Sequence, residues 1–225
     1  MNQSVITKAT CGFIMLFLWI VTPICAQKTD NMTPSQLTDL GNAYYAGKNG
    51  KKKDFAKAVA YYRKAAEKGY ARAQRNLGFM YENGEGVAKN YAEAVKWYRK
   101  AAEQGGATAQ NNLALLYFEG KGVKKDYAEA LKLFRKSADQ GNPLAQTSLG
   151  TMYYRGYGVT QNFTEAVKWY RKAAEQGDKT AQYNLGGCYE YGEGVTKNIS
   201  TAISWYEKSA KQGFEEAKKK LKELK

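Results

Sequence analysis

The chain has 225 residues, 44% apolar and 25% charged, with 35 Lys and Arg against 21 Asp and Glu, a formal charge of +14. Such a chain can bury a core, and its basic excess would suit an acidic partner, an anionic surface or nucleic acid. It contains no His, which removes Ser-His-Asp and Cys-His catalysis, imidazole acid–base chemistry and most zinc sites.

The first 26 residues differ in kind from the rest. Lys8 precedes an apolar run over residues 11–21, the length of a signal h-region. Thr22-Pro23-Ile24-Cys25-Ala26 then breaks the run and ends on a small residue. Cleavage after Ala26 is expected, with export to the periplasm or beyond. The run is short for a membrane anchor, and Pro23-Ile24 before Cys25 matches a lipoprotein signal poorly. Cleavage removes Cys11 and Cys25 and leaves Cys188, which alone cannot form an internal disulfide. An exported chain rarely meets nucleic acid, so no nucleic-acid partner is expected.

Residues 27–32 read as a disordered polar leader. Thr33-Pro34-Ser35 reads as an N-cap followed by Pro at the first helical position, opening a helix that runs to Ala46. A basic loop over residues 48–54 leads to a second helix, residues 55–68, closed by Gly69. This first pair, residues 33–70, is a degenerate copy of a longer-lived unit. Four full copies of that unit then succeed one another at 71–106, 107–142, 143–178 and 179–214, with a step of 36 residues and no insertion. A period in this range means a solenoid of stacked supersecondary units, with atypical ends.

Within a copy, Ala73, Leu77, Met80 and Tyr81 recur at helical spacing and define helix A over residues 71–83. Cys188 occupies the slot of Met80, Leu116 and Met152, so it reads as a small buried hydrophobe. Gly78 lies mid-helix and returns as Gly150 and Gly186, with Ala114 in the third copy. A small residue held there predicts the close approach of another helix backbone. Gly84, Gly86 and Val87 form a turn, with Val87 as a plug into the core; the motif returns at 120–123, 156–159 and 192–195. It follows a helix and occurs four times, so it is a hairpin turn, not a phosphate loop.

Helix B, residues 91–104, carries Tyr91, Ala94, Val95, Tyr98, Ala101 and Ala102 on one face, with Trp97 returning as Trp169 and Trp205. Gly69, Gly105, Gly141, Gly177 and Gly213 stand where a C′ glycine ends each helix B. Residues 215–225 keep Ala217, Leu221 and Leu224 on one face of an otherwise charged helix, a cap for the open end of the stack.

These motifs, A/Q-x-N-L-G-x-x-Y-x-x-G-x-G-V and then A-x-x-W-Y-x-K-A-A-E-Q-G, resemble the Sel1-like repeat, a relative of the tetratricopeptide repeat with a longer period. The resemblance covers residues 71–214 closely and the first pair loosely. It implies an all-α, α/α superhelical solenoid that serves as a monomeric adaptor for proteins or peptides, without cofactor or metal. Exported bacterial members of the family act in envelope assembly, secretion or host contact. One branch carries a cysteine pair in each repeat and is linked to β-lactam or peptidoglycan binding; those cysteines are absent here, so that activity is not carried over.

Catalytic signatures are missing as well. No S-x-x-K with K-T-G or S-D-N follows residue 26. Glu93, Glu129 and Glu165 repeat, as do Glu103, Asp139 and Glu175, which marks solvated-face positions. A cell-wall or β-lactam-associated enzyme stays as the alternative from another class. Lys96, Arg99 and Lys100 return as Lys132, Arg135, Lys136 and as Lys168, Arg171, Lys172. This stripe reads as a soluble outer surface; docking on an anionic partner or membrane surface is the less favoured reading. Sequons at Asn31, Asn162 and Asn198 read as chance.

Positions that differ between copies carry more information. On helix A these fall at 72, 75, 79 and 82, one helical stripe, expected to line the concave groove. The stripe reads Arg72, Arg75, Phe79, Glu82; then Thr108, Asn111, Leu115, Phe118; then Leu144, Thr147, Thr151, Tyr154; then Thr180, Tyr183, Gly187, Glu190. Aromatic and polar groups mixed in this way are typical of a binding surface. Binding is expected at Arg72, Arg75, Phe79, Glu82, Asn111, Leu115, Phe118, Thr147, Thr151, Tyr154, Tyr183 and Glu190.

Overall fold

The computed structural model describes residues 31–224. The expected signal segment with its cleavage site, and residues 27–30 of the polar leader, lie outside them. Eleven helices run through these residues, with no strand: α1 (Pro34–Ala46), α2 (Phe55–Glu67), α3 (Ala71–Asn83), α4 (Tyr91–Glu103), α5 (Ala107–Glu119), α6 (Tyr127–Asp139), α7 (Pro143–Arg155), α8 (Phe163–Glu175), α9 (Lys179–Tyr191), α10 (Ile199–Lys211) and α11 (Glu215–Leu224). Odd-numbered helices up to α9 are the helices A and even-numbered ones the helices B. Each packs on its neighbours in sequence, and α11 closes the array on α10. None is long and apolar enough to cross a membrane.

Local chemistry sets the ends. Thr33 and Gln36 form a reciprocal capping box around Pro34, the first helical residue. Every helix B starts on an Asp or Asn whose side chain accepts a backbone N–H three residues on: Asp54, Asn90, Asp126, Asn162 and Asn198. Such caps stabilise by about 1 kcal/mol each. Helices A from α3 to α9 end at Gly84, Gly120, Gly156 and Gly192, all in the left-handed conformation. Of the expected leader, Met32 is described, and it packs against the first apolar cluster.

Two glycine positions fix the packing. A Cβ added at Gly78 would lie 2.7 Å from the ring of Tyr98. Gly41, Gly150 and Gly186 meet Tyr62, Tyr170 and Tyr206 in the same way. The expected close neighbour is thus chiefly an aromatic ring of helix B, not a helix backbone. The copy that has Ala114 instead is also the copy with Phe134 instead of Tyr. The second loop glycine works between copies. A Cβ on Gly86 would lie 2.3 Å from the carbonyl carbon of Phe55, at the start of the preceding helix B, and Gly122 stands equally close to Tyr91.

A buried line of glutamines ties the copies together. Gln74, Gln110, Gln146 and Gln182 are buried. Each donates to a carbonyl in the last turn of the preceding helix B, at Ala66, Ala102, Ala138 and Ala174. Each also accepts from the glutamine that ends its own copy's helix B: Gln104, Gln140, Gln176 and Gln212. Each of these carbonyls also accepts the backbone N–H of the glycine three residues on, so the ladder supplies its second hydrogen bond at the helix end.

Candidate functional site

The variable stripe lies where helices A overlie the tyrosines of helices B, and three clefts open along it. The first, of about 340 Å³, is lined by Arg72, Arg75 and Phe79 together with Asn42, Tyr45, Tyr62 and Asn76. The second, of about 230 Å³, is lined by Leu115, Phe118, Phe134, Thr147, Ser148, Thr151 and Thr180. Thr151 is shared with the third, of about 260 Å³, where Tyr154, Tyr183 and Gly187 meet Arg155, Tyr170, Asn184, Tyr191 and Lys220.

Not every stripe residue reaches a cleft. Phe79 is 36% exposed, its ring edge-on to Tyr45. Asn111 is only 2% exposed and bonds to Asn112, with its own Oδ1 buried and unpaired. Thr147 is nearly buried, its hydroxyl 3.0 Å from both the Pro143 carbonyl and the Asp178 carboxylate. Leu144 and Thr108 are exposed but line none of the three clefts. Phe118 packs on Tyr127 and Tyr157, and Tyr183 on Tyr206 and Phe214, so both rings are half structural.

Glu82 and Glu190 are turned onto tyrosine hydroxyls. Tyr98 donates to Glu82 and Tyr206 to Glu190, both at 2.6 Å. Tyr154 likewise donates to Glu193 at 2.6 Å. Burial and then the carboxylate partner push Tyr98 and Tyr206 far above the ordinary phenol value, and Tyr154 to about 12. These hydroxyls therefore stay protonated donors. Burial also pushes the Glu190 carboxyl up, but the hydrogen bonds from Tyr206 and Lys220 outweigh it and hold it below the usual carboxylate range. The Cys188 thiol is buried and pushed up to about 12 by that burial, which keeps it a thiol at neutral pH.

Most repeated cations of helix B are committed within the scaffold. Lys96, Lys132 and Lys168 pair with Glu93, Glu129 and Glu165. Arg99, Arg135 and Arg171 donate to Tyr117, Tyr153 and Tyr189 of the next copy. Lys100, Lys172 and Lys208 sit over Trp97, Trp169 and Trp205. Cations outside the repeat pattern are the freer ones: Arg75 has no acidic partner among the described residues, and Arg155 faces the Tyr154 ring.

Sequence reasoning missed Asn42, Tyr45, Tyr62, Arg155, Tyr191 and Lys220. Asn42 and Tyr45 sit on helix A of the degenerate copy, whose register is shifted by one residue, and Tyr62 holds the repeated helix-B slot of Tyr98 and Tyr170, which reads as scaffold. Arg155 and Tyr191 had a signal: the position after 82 also varies, reading Asn83, Glu119, Arg155 and Tyr191.

A family model described as the Sel1 repeat matches the chain five times, over residues 37–70, 71–106, 107–142, 143–178 and 179–214. A protective antigen present in uropathogenic Escherichia coli strains, with an SLR fold, is 43% identical with a TM-score of 0.83, over 88% of this chain and 42% of that one. The chain thus spans less than half the length of that antigen. A Sel1 repeat protein from Oxalobacter formigenes is 42% identical with a TM-score of 0.80, over 84% and 75% of the two chains. An immunity protein from Pseudomonas aeruginosa is 28% identical with a TM-score of 0.52, over 79% and 68%. No curated protein matches.

Proposed function

The chain belongs to the Sel1 repeat family, and on that footing we propose that it is an exported, monomeric, non-catalytic adaptor that holds an extended segment of another protein along the helix-A face. One observation carries this reading: positions free to differ between copies converge on three clefts of one face, while repeated polar groups bond within the scaffold. Tyrosine and arginine, residue types that dominate binding energy at interfaces, line the two end clefts, and Leu115, Phe118 and Phe134 wall the middle one beside threonines. Export rests on residues 1–26 and is checked by N-terminal sequencing of the protein recovered from cells.

Selection of random peptides on the immobilised protein tests the binding reading. Enriched peptides are expected to lose at least tenfold in affinity, about 1.4 kcal/mol, toward the double variant Phe79→Ala, Thr180→Trp. The first change removes an exposed ring and the second fills the middle cleft. Equal affinity for the variant, with its thermal unfolding unchanged, would move the site off this face. Hydrolysis of a chromogenic β-lactam by the purified protein would overturn the non-catalytic reading.

A further inference from the structure

Acids and bases are sorted on the helix-A face. No carboxylate lines any of the three clefts among the described residues, although several stand behind lining side chains. Glu190 and Glu193 are held by the hydroxyls of Tyr206 and Tyr154, Asp178 by that of Thr147, and Glu85 lies against Tyr45. Cations do line the end clefts: Arg72 and Arg75 in the first, Arg155 and Lys220 in the third. Arg72 is paired only with exposed Asp39, at 3.5 Å, and Lys220 is engaged by Glu190 and Glu223. That leaves Arg75 and Arg155 as the guanidinium groups available to a ligand, one at each end. The middle cleft between them carries no charge and is walled by Leu115, Phe118 and Phe134 with threonines.

We propose that the segment held on this face is a peptide with acidic side chains toward both ends and apolar side chains in between. Guanidinium groups grip carboxylates through paired N–H donors. In the first cleft the Asn42 Oδ1 already accepts from Tyr62 and Asn76, which leaves its amide N–H groups as further donors. An uncharged, aromatic-walled middle suits Leu or Phe side chains and has nothing to offer a polyanion. This inference rests on the adaptor reading and names the chemistry of its partner.

Fluorescence anisotropy with labelled peptides of about twelve residues, which reach about 40 Å in extended form, tests it. The first probe has Glu at both ends and Leu and Phe in the centre. It is expected to bind the full-length protein at least tenfold tighter than its Gln-for-Glu counterpart, and tighter than an isomer with the acids moved to the centre. Arg75→Ala should weaken it at least tenfold, and Arg75→Glu should restore binding to a peptide carrying Lys at one end. That rescue cannot come from a misfolded variant. Equal binding of the isomer, or displacement by a single-stranded oligonucleotide of the same charge, would overturn the inference. If peptides selected at random bind the face but are not acidic, the adaptor reading stands and this inference falls. If no peptide binds, both fall.

Discussion

At the scale of single residues, the pairing of Gly78 with Tyr98 makes a sharp prediction. Alanine is the better helix former by about 1 kcal/mol, so Gly78→Ala would stabilise an isolated helix. In this fold the new methyl would lie 2.7 Å from a ring that the 2.6 Å bond to Glu82 pins in place. Overpacking of this kind costs about 1–3 kcal/mol, so urea unfolding should show a net loss. Tyr98→Phe frees the ring from its tether, as in the natural Ala114 and Phe134 copy. The double variant should therefore recover part of the loss, with a coupling above about 0.5 kcal/mol in the cycle. Additive effects would mean that the ring is not what the glycine makes room for. The small residue itself was legible in the sequence, from its repetition. What it faced was not, because the ring comes from a helix twenty residues away, and a pattern along one helix says nothing about its neighbour's side chains.

At the scale of elements, α11 docks through Ala217 and through one ion pair, Lys220 with Glu190 at 3.1 Å on α9. The Glu190 carboxyl is held below its ordinary value, so the folded state binds fewer protons there than the unfolded chain. Its contribution to stability is present above the unfolded carboxylate value and is lost as pH falls through the lower folded one. Glu190→Gln should cost about 1–2 kcal/mol near neutral pH, and the difference from wild type should shrink toward zero below about pH 4. A constant difference across that range, measured by urea unfolding at each pH, would show that Glu190 acts by packing alone. The sequence marked Glu190 as a candidate contact for a partner; the structure turns it inward because Tyr206 and Lys220, both on later elements, reach it first. Helix boundaries were readable to within a residue or so, since they are written in local caps. The glutamine ladder was not read, although its members recur at fixed steps. A repeated polar residue resembles solvated surface until the carbonyl it bonds, on another helix, is known.

For the whole molecule, neighbour-only packing predicts tolerance to losing a complete copy. Deleting residues 107–142 joins the end of one copy to the start of the next and restores every type of joint. The shortened chain should fold with native helical content and a smaller urea m-value, in keeping with the surface removed. Deleting a window of the same size that starts mid-helix should leave far less helix by circular dichroism. The shortened chain would also lack Leu115 and Phe118, hence most of the apolar middle of the helix-A face. Fold and candidate site thus come apart at this scale. The architecture follows from residues that agree between copies, whereas the clefts follow from those that disagree, and the disagreeing ones are silent about chemistry until their spatial neighbours are known.

The loop glycine that rests on the preceding helix B, Gly86 on Phe55 and Gly122 on Tyr91, fixes the distance between copies with backbone atoms alone. That contact is indifferent to which side chains the adjoining copies carry, and the side-chain ties beside it, the glutamine ladder and the Arg–Tyr pairs, recur in one form from copy to copy. Copies can then be duplicated, exchanged or shuffled as interchangeable parts without refitting the joint. New recognition can arise in such a lineage by rewriting a few helix-A positions, while the fit between modules stays under separate selection.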